Sequence, residues 1–189
     1  MFESGAITPS GAIQGNDNDA DATKYEPHYD RITSPDQVQI YEPILGDPAN
    51  VPTTGLLTAT HYLKDNRLLP QGFLPLRDRI RISRALGADP KMAEESGPSA
   101  VDDDPDYVNG GSDTLLYRVP LSELSGEPAA VEATLYYQAT PPYYLQDRFC
   151  TSNGIDTNRL YYLAGKLDVS GPTKDWKLRV GTSGPVPVP

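Results

Sequence analysis

Proline and glycine break this chain into short segments along its whole length. They number 19 and 16 among 189 residues, and they recur in turn-like clusters such as 46–50 and 125–128. Between these clusters the apolar residues mostly alternate with polar ones, which is the period of a half-buried strand. This punctuation is typical of many strands joined by turns and argues against a helical bundle.

The alternating segments predict a mainly-β fold. The strand candidates are 37–42, 53–64, 113–121, 130–138 and 175–181, with 77–86 divided between strand and short helix. We expect 113–121 and 130–138 to form an antiparallel hairpin, and Trp176, Leu178 and Val180 to be buried. The predicted architecture is an antiparallel β-sandwich of the jelly-roll or immunoglobulin-like type.

Helical spacing appears mainly in the C-terminal third. The pattern predicts one or two short helices there, over 141–149 and 156–167, and one further helical turn at 90–95. Cys150 is the lone cysteine and is predicted to be a buried apolar residue. We expect an extended N-terminal segment, 1–14, a sandwich domain, 15–182, and a proline-rich tail, 183–189.

The net charge of −10 constrains the partners. An acidic chain repels phosphate backbones and anionic lipid, so we expect neither nucleic-acid binding nor membrane insertion, and no apolar run has the length of a membrane span. The N-terminus lacks the basic and apolar parts of a signal peptide. Acidity does favour hard cations, which prefer oxygen ligands.

An acidic loop at 15–30 concentrates carboxylates and amides. Asp17, Asp19 and Asp21 have the alternate spacing of a calcium loop, in which side chains converge on one ion. The loop is not an EF-hand, because Ala22 and His28 stand where glycine and a bidentate glutamate are required.

We therefore predict a calcium half-site in this loop, which another part of the chain must complete. The candidates are Asn16, Glu26, backbone carbonyls, Asp47 and the carboxylates of 102–104. The open alternative is a solvated acidic loop. A second acidic group, formed by Asp102, Asp103, Asp104, Asp106 and Asp113, is more typical of a solvated loop than of an ion site.

The two histidines have different predicted roles. His61 lies at an inward strand position and is expected to be a hydrogen-bonded core residue. His28 lies in the acidic loop and is a candidate ligand for a transition metal or haem.

Tyrosine pairs are the remaining candidate ligand-binding residues. Tyr143, Tyr144 and Tyr161, together with His28, form the candidate set, because exposed aromatic rings can stack on sugars. The alternative is that these tyrosines belong to the core and to an ordinary β-surface. The chain has no nucleophile-elbow or zinc-protease motif, and we expect a non-catalytic protein.

Six segments carry a family resemblance. They are 10–29 (SGAIQGNDNDADATKYEPHY), 36–42 (DQVQIYE), 53–57 (TTGLL), 62–73 (YLKDNRLLPQGF), 141–149 (PPYYLQDRF) and 160–163 (LYYL). Together they resemble a domain found beside haem-binding segments in bacterial multihaem c-type cytochrome-like proteins. The resemblance implies a periplasmic or extracellular setting, because c-type haem is attached outside the cytoplasm.

This chain departs from that family in having no CxxCH, so it carries no covalent haem. Two functions follow as expectations. The first is a non-catalytic exported binding or accessory module that is stabilised by calcium and binds a carbohydrate or a surface. The alternative is an accessory domain of a multihaem cytochrome in extracellular electron transfer, whose partner is a haem-bearing domain or chain.

Overall fold

The computed structural model describes residues 1–101, 104–108 and 110–188. They form two compact units, each made of discontinuous segments. Unit 1 comprises Met1–Ala22, Thr33–Val38 and Val119–Pro189, and unit 2 comprises Thr23–Ile32 and Gln39–Arg118. No helix in the described part of the chain is long and apolar enough to cross a membrane.

Unit 2 combines two small sheets with three helices. Its elements are β1 (Arg31–Ile32), β2 (Pro43–Gly46), β3 (His61–Asp65), α2 (Leu76–Ala85), α3 (Pro90–Glu95), α4 (Pro105–Val108) and β4 (Leu116–Tyr117). Strands β2 and β3 are antiparallel, and β1 and β4 are parallel. The buried hydrophobic side chains of this unit are Ile32, Ile44, Ala93, Val101 and Tyr107.

Unit 1 contains two further strand pairs and two longer helices. Its elements are α1 (Asp17–Ala20), β5 (Ala130–Val131), β6 (Thr134–Tyr137), α5 (Pro142–Thr151), α6 (Ile155–Ala164), β7 (Leu178–Thr182) and β8 (Val186–Pro187). Strand β5 pairs with β8 and β6 pairs with β7, both antiparallel.

The predicted mainly-β sandwich is wrong. The chain is 16% strand and 29% helix, and its strands form two-stranded sheets with no closed sandwich. A strand needs a partner to extend a sheet, and each strand of the described residues spans only two to five residues and pairs with one other strand.

Particular strand predictions are also wrong. The hairpin of 113–121 with 130–138 does not form, because β4 pairs with β1 whereas β6 pairs with β7. Segment 37–42 forms no strand. Leu178 and Val180, predicted to be buried, are 42% and 62% exposed on β7.

The ambiguous segment 77–86 lies in a helix. Helix α2 packs against α3, and the Arg79 guanidinium donates to the carbonyl oxygen of Ala93 at 2.5 Å and lies 4.7 Å from the Phe73 ring centroid. Arg79 thus packs at the contact of α2 with α3, whereas Arg77 and Arg81 are exposed on the same helix.

The helix predictions are confirmed. Helices α5 and α6 lie where helical spacing placed them, and α3 covers the predicted turn at 90–95. Cys150, at the end of α5, is exposed, so its predicted burial is wrong.

Candidate functional site

A polar centre lies in unit 2, where several loop segments meet beside the β2–β3 pair. It is formed by His28, Gln39, Tyr41, Asn66, Asp104 and Asp113. The side chains of His28 and Asp104 are only 2% and 4% exposed. The His28 ring also meets the ring of Tyr107 of α4 edge to face, at a centroid distance of 5.0 Å.

Two amide side chains determine which nitrogen of His28 carries the proton. Gln39 Oε1 accepts the backbone N–H of Tyr29 at 2.7 Å, which turns its NH₂ group towards His28 Nδ1 at 2.8 Å.

Asn66 acts in the same way. Its Oδ1 accepts the N–H of Glu42 at 2.9 Å, and its Nδ2 lies 2.9 Å from the Ile40 carbonyl oxygen and 3.2 Å from His28 Nδ1. With two donors facing it, Nδ1 is the acceptor, and Nε2 carries the proton and donates to Asp104 Oδ2 at 3.1 Å.

The two carboxylates of the centre are held by different partners. Asp104 Oδ1 accepts the N–H groups of Asp106 and Tyr107, each at 3.3 Å, at the start of α4. Asp113 Oδ2 accepts a short hydrogen bond from the Tyr41 hydroxyl. The other Asp113 oxygen, Oδ1, is buried and has no hydrogen-bond partner among the described residues.

Three side chains of the polar centre lie close enough together to bind one cation. One ligand atom from each of His28, Asp104 and Asp113 lies within 4.8 Å of the others, the only such group of three or more found among the residues described. The basic side chains of the surrounding network, Lys64 and Arg67, are bonded to other carboxylates. A divalent cation would therefore supply positive charge that the described part of the site lacks.

A salt-bridge group lies next to this centre in the same unit. Lys64, which is fully buried, donates to Glu26 Oε1 at 2.5 Å and to Glu42 Oε1 at 3.3 Å. Burial, and then a hydrogen bond with Glu26, raise the pKa of Glu42 to about 8. Glu42 is therefore protonated at neutral pH, and Lys64 and Glu26 balance each other in charge.

Two phenols border the polar centre, the half-buried Tyr41 and the buried Tyr107. Burial and the hydrogen bond to Asp113 raise the pKa of Tyr41 well above its usual range. Burial also raises the pKa of Tyr107 to about 12, with a smaller contribution from the charge of Asp65. Both hydroxyls therefore remain protonated donors, Tyr41 to Asp113 and Tyr107 to the Arg67 carbonyl oxygen at 2.7 Å.

No family model, curated protein or solved structure matches this chain. The resemblance to cytochrome-associated domains is therefore untested by these comparisons, and the geometry is the basis for a functional proposal.

The predicted calcium loop has a different local structure. Asp17 and Asp19 lie on α1, Asp19 Oδ2 accepts the N–H of Ile13 at 2.9 Å, and Asp21 follows as the last capping residue of that turn. Asn16 caps the start of α1 by accepting the N–H of Asn18. Among the described residues, Asp17, Asp19 and Asp21 belong to no group of three ligands close enough to hold a metal ion, and calcium binding in this loop stays a prediction.

The other predicted site residues are separated. Glu26 belongs to unit 2, where it binds Lys64, and His61 is exposed on β3 rather than in a core. Tyr143 is half-buried and Tyr144 is 36% exposed, with the Arg148 guanidinium 3.7 Å from its ring centroid. Tyr161 is 66% exposed on α6.

The acidic sequence around Asp104 predicts a solvated loop. The structure instead buries Asp104, which is 7% exposed. Asp102 and Asp103 lie outside the described residues. His28 was identified as a candidate ligand, but its partners Asp104 and Asp113 are 76 and 85 positions away, and no spacing pattern links residues so distant. The Asp-Pro dipeptide at 104–105, which starts α4, was the available signal for a capping aspartate.

Proposed function

We propose that this chain is a non-catalytic binding or accessory module whose unit 2 is stabilised by a hard divalent cation, with calcium as the first candidate. The observation that supports it is the buried Asp113 Oδ1, which has no hydrogen-bond partner among the described residues and belongs to the cluster with Asp104 and His28. Carboxylate oxygens are the ligands that calcium prefers.

The hydrogen bonds assign separate roles within such a site. Asp104 and Asp113 would supply the oxygen ligands, and Tyr41 and His28 would orient them from behind. His28 would not itself bind the ion, because its Nδ1 already accepts from two amides and a metal on Nε2 would then require an imidazolate. This arrangement favours an oxygen-preferring ion over zinc.

Burial argues for a structural rather than a catalytic role. With 2% and 4% of their side chains exposed, His28 and Asp104 are out of reach of a substrate in solution in this conformation. A general base must lie within hydrogen-bond reach of the group it deprotonates.

The accessory part of the proposal is supported by the resemblance alone. It makes a haem-bearing domain or chain the first partner to test, a polysaccharide the second, and the periplasm or cell exterior the proposed location. Co-purification with a haem-bearing protein, or retention on an insoluble polysaccharide, would distinguish the two partners.

Thermal melting tests the cation. After removal of metal with EDTA, addition of CaCl₂ should raise the melting temperature, because a ligand that binds only the folded state adds about 2.7 kcal/mol at 100 times its dissociation constant. Asp113→Asn should lose most of this shift. The exposed Asp156→Asn on α6 is the matched control and should keep it.

Three outcomes would contradict the proposal. The first is a melting temperature that millimolar calcium leaves unchanged. The second is a calcium shift abolished by Asp17→Asn and kept by Asp113→Asn, which would return the ion to the loop of unit 1. The third is stabilisation by zinc but not by calcium, which would make His28 a ligand and reverse its tautomer.

A further inference from the structure

Asp106 brings a second unpaired oxygen to the polar centre. Its Oδ2 is buried and, like Asp113 Oδ1, has no hydrogen-bond partner among the described residues. Nearly all buried polar atoms in folded proteins have a partner, because burial removes the water that would otherwise solvate them. Two such oxygens in one small region therefore point to a ligand that both contact.

The contacts of Asp106 place it beside the two carboxylates already described. Asp106 lies on α4, two residues after Asp104. Its carboxylate accepts a hydrogen bond from the Thr114 side chain and lies within hydrogen-bond reach of the Asp104 side chain. Because Thr114 directly follows Asp113, Asp106 contacts both Asp104 and the residue next to Asp113. Ligand atoms of Asp104 and Asp113 are themselves within 4.8 Å of each other.

The negative charge of these three side chains is not balanced by the groups that bond to them. Carboxylates this close repel one another unless a proton or a cation lies between them. His28 donates its Nε2–H to Asp104 and Tyr41 donates its hydroxyl to Asp113, and both donors are neutral in this arrangement. A cation would offset the repulsion and give both unpaired oxygens a partner.

The number of carboxylates indicates the kind of cation. Calcium takes about six to eight oxygen ligands in a flexible geometry, and its affinity depends on how many of them are charged. Magnesium requires a near-ideal octahedron, keeps several of its waters and is usually held by only one or two carboxylates. A group of three carboxylates with buried oxygens therefore suits calcium better than magnesium.

We propose that Asp106 is the third carboxylate ligand of the ion at the polar centre, and that the site of Asp104, Asp106 and Asp113 selects calcium over magnesium. This inference rests on the proposed function, because it requires an ion at the centre. It gives a specific role to Asp106, in a segment whose sequence predicts a solvated loop.

Calorimetric titration of the metal-free chain tests the role of Asp106. Asp106→Asn should weaken calcium binding at least about 10-fold, because the site loses one charged ligand. The amide keeps the shape of the side chain and an oxygen that accepts from the Thr114 hydroxyl. The exposed Asp156→Asn on α6 is the control and should bind calcium like the unmodified chain.

Thermal melting separates a ligand from a purely structural residue. In EDTA, Asp106→Asn removes one of three mutually repelling charges, so its melting temperature should equal or exceed that of the unmodified chain. With calcium added, the unmodified chain should become the more stable of the two, because binding stabilises it more strongly. A purely structural role would instead lower the melting temperature of the variant equally with and without calcium.

Terbium gives a spectroscopic readout of the same site. Tb³⁺ prefers oxygen ligands and carries one more positive charge than calcium, so it should bind three carboxylates more tightly. Tyr41 and Tyr107 border the centre, so excitation of tyrosine should sensitise emission from bound terbium. Calcium should displace the terbium at lower concentration than magnesium, and Asp106→Asn should weaken terbium binding.

The results that overturn this inference differ from those that overturn the proposed function. If Asp113→Asn abolishes calcium binding and Asp106→Asn does not weaken it, an ion binds and Asp106 is not its ligand. An Asp106→Asn variant that melts equally far below the unmodified chain in EDTA and in calcium would make Asp106 structural. Magnesium that binds as tightly as calcium would contradict the selectivity. An unmodified chain that binds neither calcium nor terbium would overturn both proposals.

Discussion

Glu42 has a carboxyl group that folding keeps protonated, because its pKa is raised in the folded chain. It lies beside the buried Lys64 and Glu26, and burial raises its pKa to about 8. The folded state therefore holds a proton between about pH 4.5 and pH 8 that the unfolded chain releases. Lys64 keeps one charged partner, Glu26, and a second charge at Glu42 is avoided.

This proton makes stability depend on pH. The contribution of Glu42 is fully present below its unfolded pKa and is lost as the pH rises through about 8, so the unfolding free energy should fall from pH 5 to pH 8 by at most about 1.4 kcal/mol per pH unit. Glu42→Gln keeps a hydrogen-bond donor without titrating and should flatten this slope, as measured by urea unfolding at several pH values.

The exposed Glu127→Gln is the control for this measurement and should preserve the slope. An unchanged slope in Glu42→Gln would show that Glu42 is charged in the folded state.

At the scale of elements, hydrogen bonds to a side chain stand where strand pairing is expected in segment 37–42. Segment 37–42 alternates like a strand, yet two of its backbone groups bond to a side chain. Asn66 Oδ1 accepts the N–H of Glu42, and Asn66 Nδ2 donates to the Ile40 carbonyl oxygen, each at 2.9 Å. Asn66 follows β3 directly and is fully buried. One amide side chain thus anchors this segment and orients His28 in the same contact.

Removal of this amide should be costly. Asn66→Ala leaves the half-buried Glu42 N–H and Ile40 carbonyl oxygen without this partner, and we expect the unfolding free energy to fall by about 3 kcal/mol. Denaturant unfolding measures this loss. The exposed Asn153→Ala should change stability by no more than about 0.5 kcal/mol. A loss in Asn66→Ala as small as that of the control would mean that the segment does not depend on the amide.

At the scale of the whole molecule, the two units differ in how fully they bury hydrophobic side chains. Unit 2 holds the buried hydrophobic side chains and the polar centre, whereas the hydrophobic side chains of unit 1 are at least partly exposed in the described chain. Protection from hydrogen exchange follows buried contacts, so the two units should open with different free energies.

Hydrogen exchange at low concentration measures this difference. Amides of β2 and β3 should exchange more slowly than those of β6 and β7, because only the first pair is supported by a buried core. Equal protection of both strand pairs would contradict this distribution of stability.

Local sequence predicted α3, α5 and α6, although it left α2 divided between strand and helix. Pro141 and Pro142 before a run of helical spacing start α5, and Asp89 with Pro90 starts α3, because capping and proline geometry act within a few residues. The same local reasoning failed for strands, since a strand needs a partner and alternation at 37–42 or 113–121 does not say which segment will supply it.

The candidate site was decided by tertiary structure. The sequence alone identified an acidic chain suited to hard cations, and it named His28 and Glu26 among the site residues. Only the folded chain joins His28 to Asp104 and Asp113, because loop closure over 76 and 85 residues is set by the packing of unit 2. Asp17 and Asp19 lie in a short helical turn that Asn16 caps by accepting the N–H of Asn18, a local arrangement within a few residues, and calcium binding at 17–21 stays a prediction.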